Sequence, residues 1–232
     1  MDKEHYRLQI EEDDIDLDVK FLVDGENEIV RVKPKKPKAV MYENAVALAA
    51  DIELAEGACY YAILSGDFIF GDFIEALIDH HDLRPERVDI ATLGMNQNNI
   101  DSVKNIAGFA GKVNLIVSHY YFNVERAELI PYMMGEYKDT SVSVAVAGSH
   151  MKLALIRDGG LGIVISGSAN LSSSNSVEQF TLMCDSDLWE WNAGALQPIY
   201  DNFTVFEGNR AHFERDRKNN GRKLWRTMTN GR

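Results

Sequence analysis

The segment from Ser149 to Gln179, SHMKLALIRDGGLGIVISGSANLSSSNSVEQ, holds an imidazole, an ammonium, a hydroxyl, an amide and a carboxylate at spacings that could do chemistry. His150 and Lys152 stand two positions apart in an extended apolar run. Alternation along a strand would turn both side chains to one face. After the turn signal RDGG a second apolar run, LGIVIS, delivers Gly167, Ser168 and Asn170 to the end of a neighbouring strand, and Glu178 follows. The set supplies a nucleophile or proton carrier, a fixed positive charge, groups that bond oxygen and a carboxylate able to orient an imidazole. That inventory suits phosphoryl transfer. No carboxylate cluster for a metal accompanies it, nor any H-E-x-x-H or Cys/His ligand spacing.

These residues need a sheet to hold them. YENAVALAADIELA, from Tyr42, reads as a helix, ACYYAILSGD as a buried strand ending in Ser65, and FGDFIEALIDHH as a second helix. VDIATLGM predicts a strand and NQNNIDSVKNIAGFAG an Asn-capped helix closed by Gly111. KVNLIVS is a third strand and ERAELIPYMMGEY a third helix, with Pro131 placed to kink it. Three strand and helix units in succession argue for helices on the faces of a partly parallel sheet. TSVSVAVAGS, KLALIR, LGIVIS and VEQFTLMC then add four strands without a long crossover. The expected fold is therefore α/β with a mixed sheet, followed by a last helix, AGALQPIYDNFTVF, interrupted early by Pro198. Two features stand at strand ends. Ser65 could offer a ligand group or, with Gly66, only form the turn. His119 opens HYYFNVER, whose rings could stack on a base or pack on the next helix, and closeness to His150 would favour the first.

The order H-x-K, hairpin, G-S-x-N and downstream acid resembles the signature of the phospholipase D-like superfamily. It is present once, as His150, Lys152, Gly167, Ser168, Asn170 and Glu178. The family's Asp five positions after the Lys is Arg157 here, and Asp158 one further on reads as a turn residue. The resemblance implies a phospholipase D-like catalytic domain over residues 39–206 and a metal-independent phosphodiesterase of the single-motif, nuclease-like branch. It implies His150, Lys152, Asn170 and Glu178 as catalytic residues, with Gly167 and Ser168 on the substrate side, where Ser65 and His119 are added as candidates by their places at strand ends, and no cofactor. In the family two such motifs meet, one His attacking phosphorus to give a phosphohistidine while the other protonates the leaving oxygen. One motif per chain therefore implies a homodimer with nucleic acid as substrate. A noncatalytic nucleic-acid-binding or assembly protein on the same fold is the alternative, and a phospholipid-processing enzyme a third reading.

At 232 residues and 45% hydrophobic content the chain can bury one substantial core. Two cysteines, Cys59 and Cys184, lie in apolar runs, which argues against a disulfide framework and for a reducing, cytoplasmic setting. No apolar stretch reaches the length of a membrane span, so no membrane partner is expected. The formal net charge of −12 opposes nonspecific binding to polyanions, yet its distribution is uneven. Residues 1–38 form an acidic, β-rich N-terminal extension ending in the basic linker PKKPK. Residues 207–232 form a basic C-terminal tail.

Overall fold

The computed structural model describes residues 38–42, 45–64, 70–171 and 177–208. The N-terminal extension, Ser65, the serine run at 172–176 and the C-terminal tail beyond 208 lie outside the described residues. In chain order the elements are β1 (Lys38–Tyr42), α1 (Ala45–Asp51), β2 (Cys59–Leu64), α2 (Phe70–His80), β3 (Arg87–Thr92), α3 (Gln97–Phe109) and β4 (Val113–Ser118). There follow α4 (His119–Val124), α5 (Leu129–Glu136), β5 (Val142–Ala147), β6 (Leu153–Asp158), β7 (Leu161–Gly167), β8 (Glu178–Cys184), α6 (Ser186–Phe203) and β9 (Thr204–Glu207).

Among the described residues the strands form one mixed sheet, in the order β1-β2-β8-β7-β6-β3-β4-β5-β9. β1 and β2 are parallel, as are β3, β4 and β5, while β6, β7 and β8 enter between these two groups as an antiparallel meander. The α/β class and mixed sheet expected from the sequence are what the chain forms. The RDGG turn joins β6 to β7 with Gly159 at φ +54°, a left-handed value that a residue without Cβ adopts freely. Because alternate residues of a strand face opposite sides, two cores result. Val88, Ile90, Leu115, Val144, Ile156, Ile165 and Phe180 pack against the layer of α1 to α5. Ala91, Ile116, Leu155 and Val164 pack against α6 through Leu188, Leu196 and Ile199. The same alternation keeps the thiols apart. Cys59 pairs with Met183, so Cys184 one position on faces the other side of the sheet, and both cysteines are free and buried.

Several elements differ from the sequence expectation. A strand, β1, occupies residues given to the linker and the helix start, and α1 is correspondingly shorter than YENAVALAADIELA. HYYFNV forms the helix α4 because Ser118 caps it, its Oγ accepting from Tyr121 N at 3.0 Å. The last helix starts earlier and ends sooner. Asp185 caps it by accepting from Leu188 N at 2.8 Å, and Thr204 onwards turns into β9. Pro198 lies inside α6 without breaking it. Its missing donor costs one bond of the ladder, and the buried face of Leu188, Trp189, Ala193, Leu196, Ile199 and Tyr200 holds the helix on the sheet.

Candidate functional site

Strand direction decides where the chemistry-bearing residues go. The carboxyl ends of β2, β3, β4, β5 and β7 and the amino ends of β6 and β8 share one edge of the sheet. His150 and Lys152 precede β6, whose Leu153 sits between Ala91 of β3 and Ser166 of β7. Gly167 N donates to Lys152 O at 3.2 Å, which joins the H-x-K segment to the end of β7. Ser168 N donates to Gln179 O at 2.9 Å, and Gln179 N returns a bond to Ser168 Oγ at 3.1 Å. Ser168 Oγ also donates to the Glu178 carboxylate. The edge thus brings His150, Lys152, Gly167, Ser168, Asn170 and Glu178 into one row. Ser65 follows Leu64, which pairs with Glu178, but is itself outside the described residues. His119 begins α4 directly after Ser118, which pairs with Ala147 three residues before His150.

The side chains are held unequally. His150 is exposed, and among the described residues its ring makes no hydrogen bond. The Lys152 ammonium folds back to donate to His150 O at 3.1 Å. The Glu178 carboxylate accepts from Ser168 Oγ. Asn170 Oδ1 is buried with no hydrogen-bond partner among the described residues, a state that costs about 1 to 3 kcal/mol until a donor reaches it. The His119 ring meets Asn123 Nδ2 at 3.2 Å.

Gly167 shows why the G-S-x-N order needs its glycine. A Cβ there would stand 2.1 Å from Gln179 O and 2.7 Å from Phe180 Cα, so β8 can approach only a bare backbone. Phe180, fully buried, is wedged against Phe73 and Phe70 at centroid distances of 4.9 and 5.6 Å and fixes β8 at that approach. Two residues that sequence reasoning did not single out for the site anchor its far side. Thr92 Oγ1 donates to Gly94 O at 2.8 Å and accepts from Leu171 N at 3.3 Å. Asn99 Nδ2 donates to Leu171 O at 2.7 Å. Leu171 follows Asn170, so its backbone pins the asparagine from the carboxyl side. A polar residue at a strand's carboxyl end was the available signal for Thr92.

Arg157, at the position of the family's Asp, lies far from this row. Five residues along β6 from Lys152 is about 16 Å at strand rise. Its guanidinium sits 5.1 Å over the Trp189 ring and 3.4 Å from Glu190. It opposes Arg87 across the β3–β6 pair, and Arg87 is neutralised by Asp89 at 2.8 Å, whose carboxylate also accepts from Asn114 Nδ2 at 2.6 Å. Asp158 ends β6 and accepts from Arg84 N at 2.9 Å. Among the described residues no group of three or more His, Cys, Asp or Glu is placed to hold a metal ion, and no helix is long and apolar enough to cross a membrane.

No protein-family model matches the chain, and no curated protein matches it. Among solved structures, polyphosphate kinase from Porphyromonas gingivalis is similar at 14% identity over 61% of this chain and 26% of the kinase, with a TM-score of 0.45. Nuc from Salmonella typhimurium, a phospholipase D family member, is similar at 10% identity over 61% of this chain and 95% of its own, with a TM-score of 0.44. NucT from Helicobacter pylori is similar at 20% identity over 63% of this chain and 98% of its own, with a TM-score of 0.42. Likenesses this distant say nothing of activity, and the fold stands on the strand order and register of the chain itself.

Proposed function

We propose that the chain is a phosphodiesterase acting on nucleic acid through His150, at a site completed by a second copy of itself. The observation that supports this reading is the convergence of the H-x-K segment, the GSAN turn and the start of β8 on one sheet edge, tied by the Gly167 N to Lys152 O bond. An exposed imidazole beside an ammonium is suited to meet a phosphate and a facing copy. In the reaction, a neutral His150 ring nitrogen attacks phosphorus and the bond from phosphorus to the leaving oxygen breaks. The partner's His150, as imidazolium, gives that oxygen its proton. Water then attacks the phosphohistidine, its proton passes to the partner's now neutral ring, and the P–N bond breaks to restore the first. Lys152 and Asn170 bind the non-bridging oxygens, Lys152 by charge and Asn170 through its amide nitrogen. An imidazole serves as a nucleophile when neutral and as an acid when protonated, which are the two roles the scheme needs.

The test is incubation of labelled single-stranded and duplex DNA, RNA and a base-free phosphodiester with protein in EDTA. His150→Ala should abolish cleavage and keep the fold. Lys152→Ala should lose about 100-fold, as expected for a preorganised charge aimed at the transition state. Heterodimers of wild type with His150→Ala should lack full turnover, and the rate should fall on both sides of an optimum pH, reporting the coupled pair. Full activity in a monomer, or strict dependence on added divalent metal, would refute the scheme. Binding without cleavage by the wild type would favour the noncatalytic alternative.

A further inference from the structure

Tyr120 is the most exposed aromatic side chain among the described residues, 71% accessible, although its neighbours Tyr121 and Phe122 are 6% and 1% accessible. Those two anchor α4 in the core, Tyr121 through the cap on Ser118, so the first turn of the helix holds the Tyr120 ring outward. Val124, one turn on and 58% accessible, extends the apolar face. The register fixes where this face lies. Ser118 pairs with Ala147 across neighbouring parallel strands, about 4.8 Å apart; Tyr120 is two residues past the first and His150 three past the second. Val177, 72% accessible, borders the other end of the same edge beside Glu178.

A chain with a formal net charge of −12 gains little from displacing counterions off a polyanion. Beyond the contact of Lys152 with the scissile phosphate, a nucleic-acid ligand can be held by contact that ignores the sign of the field, and every base offers a π face to an exposed ring. We infer that Tyr120 is the platform on which a nucleobase flanking the scissile phosphate stacks, so that the site selects nucleic acid with unpaired bases over base-free phosphodiesters and over duplex. This rests on the nucleic-acid reading above, but not on turnover.

Binding separates the two. His150→Ala protein would be titrated with a single-stranded oligonucleotide carrying 2-aminopurine, with the same strand made abasic and with its duplex, each with Tyr120 intact or changed to Ala or Phe. Tyr120→Ala should weaken binding of the base-bearing strand about tenfold, within the range of base–aromatic stacking. It should leave the abasic strand unaffected and abolish the quenching of 2-aminopurine, while Tyr120→Phe keeps both affinity and quenching. Equal affinity with Tyr120→Ala, an equal loss on the abasic strand, or no binding of any strand overturns the inference. So does a fall of the Tyr120→Ala protein to monomer, which would make the ring a contact between copies. Cleavage of base-bearing and abasic strands alike, indifferent to Tyr120, would remove the platform and leave the phosphodiesterase. Tyr120-dependent binding without cleavage would do the reverse.

Discussion

Gly167 and Thr92 are the single residues on which the site's shape depends most directly. In Gly167→Ala the new Cβ meets backbone on β8, which cannot swing aside as a side chain would, so β7 and β8 must part. A loss of about 2 to 3 kcal/mol is expected in denaturant unfolding, at the upper end of ordinary overpacking. Thr92→Val keeps the shape but leaves Gly94 O and Leu171 N without their partner. It should lower stability by about 1 to 3 kcal/mol, and cleavage should fall further than stability alone explains, since Leu171, next to Asn170, loses one of its two anchors. Intact turnover in a stably folded Thr92→Val protein would show that Leu171 does not position Asn170. His150, Lys152, Gly167, Ser168 and Asn170 were readable because their spacing is local and strand alternation is a rule. The bond of Thr92 to Leu171 is not, because it spans 79 positions, and only the polar type of Thr92 at a strand's carboxyl end hints at a role.

At the scale of elements, α3 couples its own start to the site. Asn96 caps the helix by accepting from Asn99 N at 3.1 Å, and Asn99 Oδ1 accepts from Asn96 N at 2.9 Å. Asn99 also holds Leu171 O. Asn96→Ala should therefore cost about 1 kcal/mol, the ordinary worth of a cap, and leave turnover nearly unchanged. Asn99→Ala loses half of the capping box and a buried bond to the GSANL turn together. It should cost about 2 to 3 kcal/mol and reduce turnover as well. Equal effects of the two substitutions on turnover would deny the coupling. The capping Asn residues were legible before α3, as were the strands of the meander, whose apolar runs are bounded by turns. The start of α6 was not. WEWNAG carries little helical periodicity, and only packing of Leu188 and Trp189 on the sheet recruits it. β1 is not legible in the sequence, because a short strand starting on the last residue of PKKPK has no alternating pattern of its own and exists by pairing with β2.

For the whole molecule, burial sets an alkaline limit. It pushes the Cys184 thiol up to about 11, and burial likewise raises the phenols of Tyr121, Tyr137 and Tyr200 above their usual range. Each group keeps its proton longer folded than unfolded, so its contribution is full below the unfolded pKa and lost as pH rises. The decline should begin near pH 8.5 for the thiol and near 10 for the phenols, at about 1.4 kcal/mol per pH unit for each group released. Unfolding midpoints across that window would measure it, and a flat profile to pH 11 would contradict the burial. A different consequence follows from the strand order. β2 finds its antiparallel partner only in β8, with Cys59 opposite Met183, and β3 finds one of its neighbours in β6. A chain emerging from the ribosome therefore carries β1 and β2 as a pair with an open edge until β8, more than a hundred residues further on, has been made. Contacts this distant in sequence are slow to form, and unpaired edges are where nascent chains associate wrongly. The meander that assembles the candidate site is thus also the segment that closes the sheet, so a ribosome-bound chain stalled before β8 should remain open to protease and dependent on a chaperone, while one released after it should not.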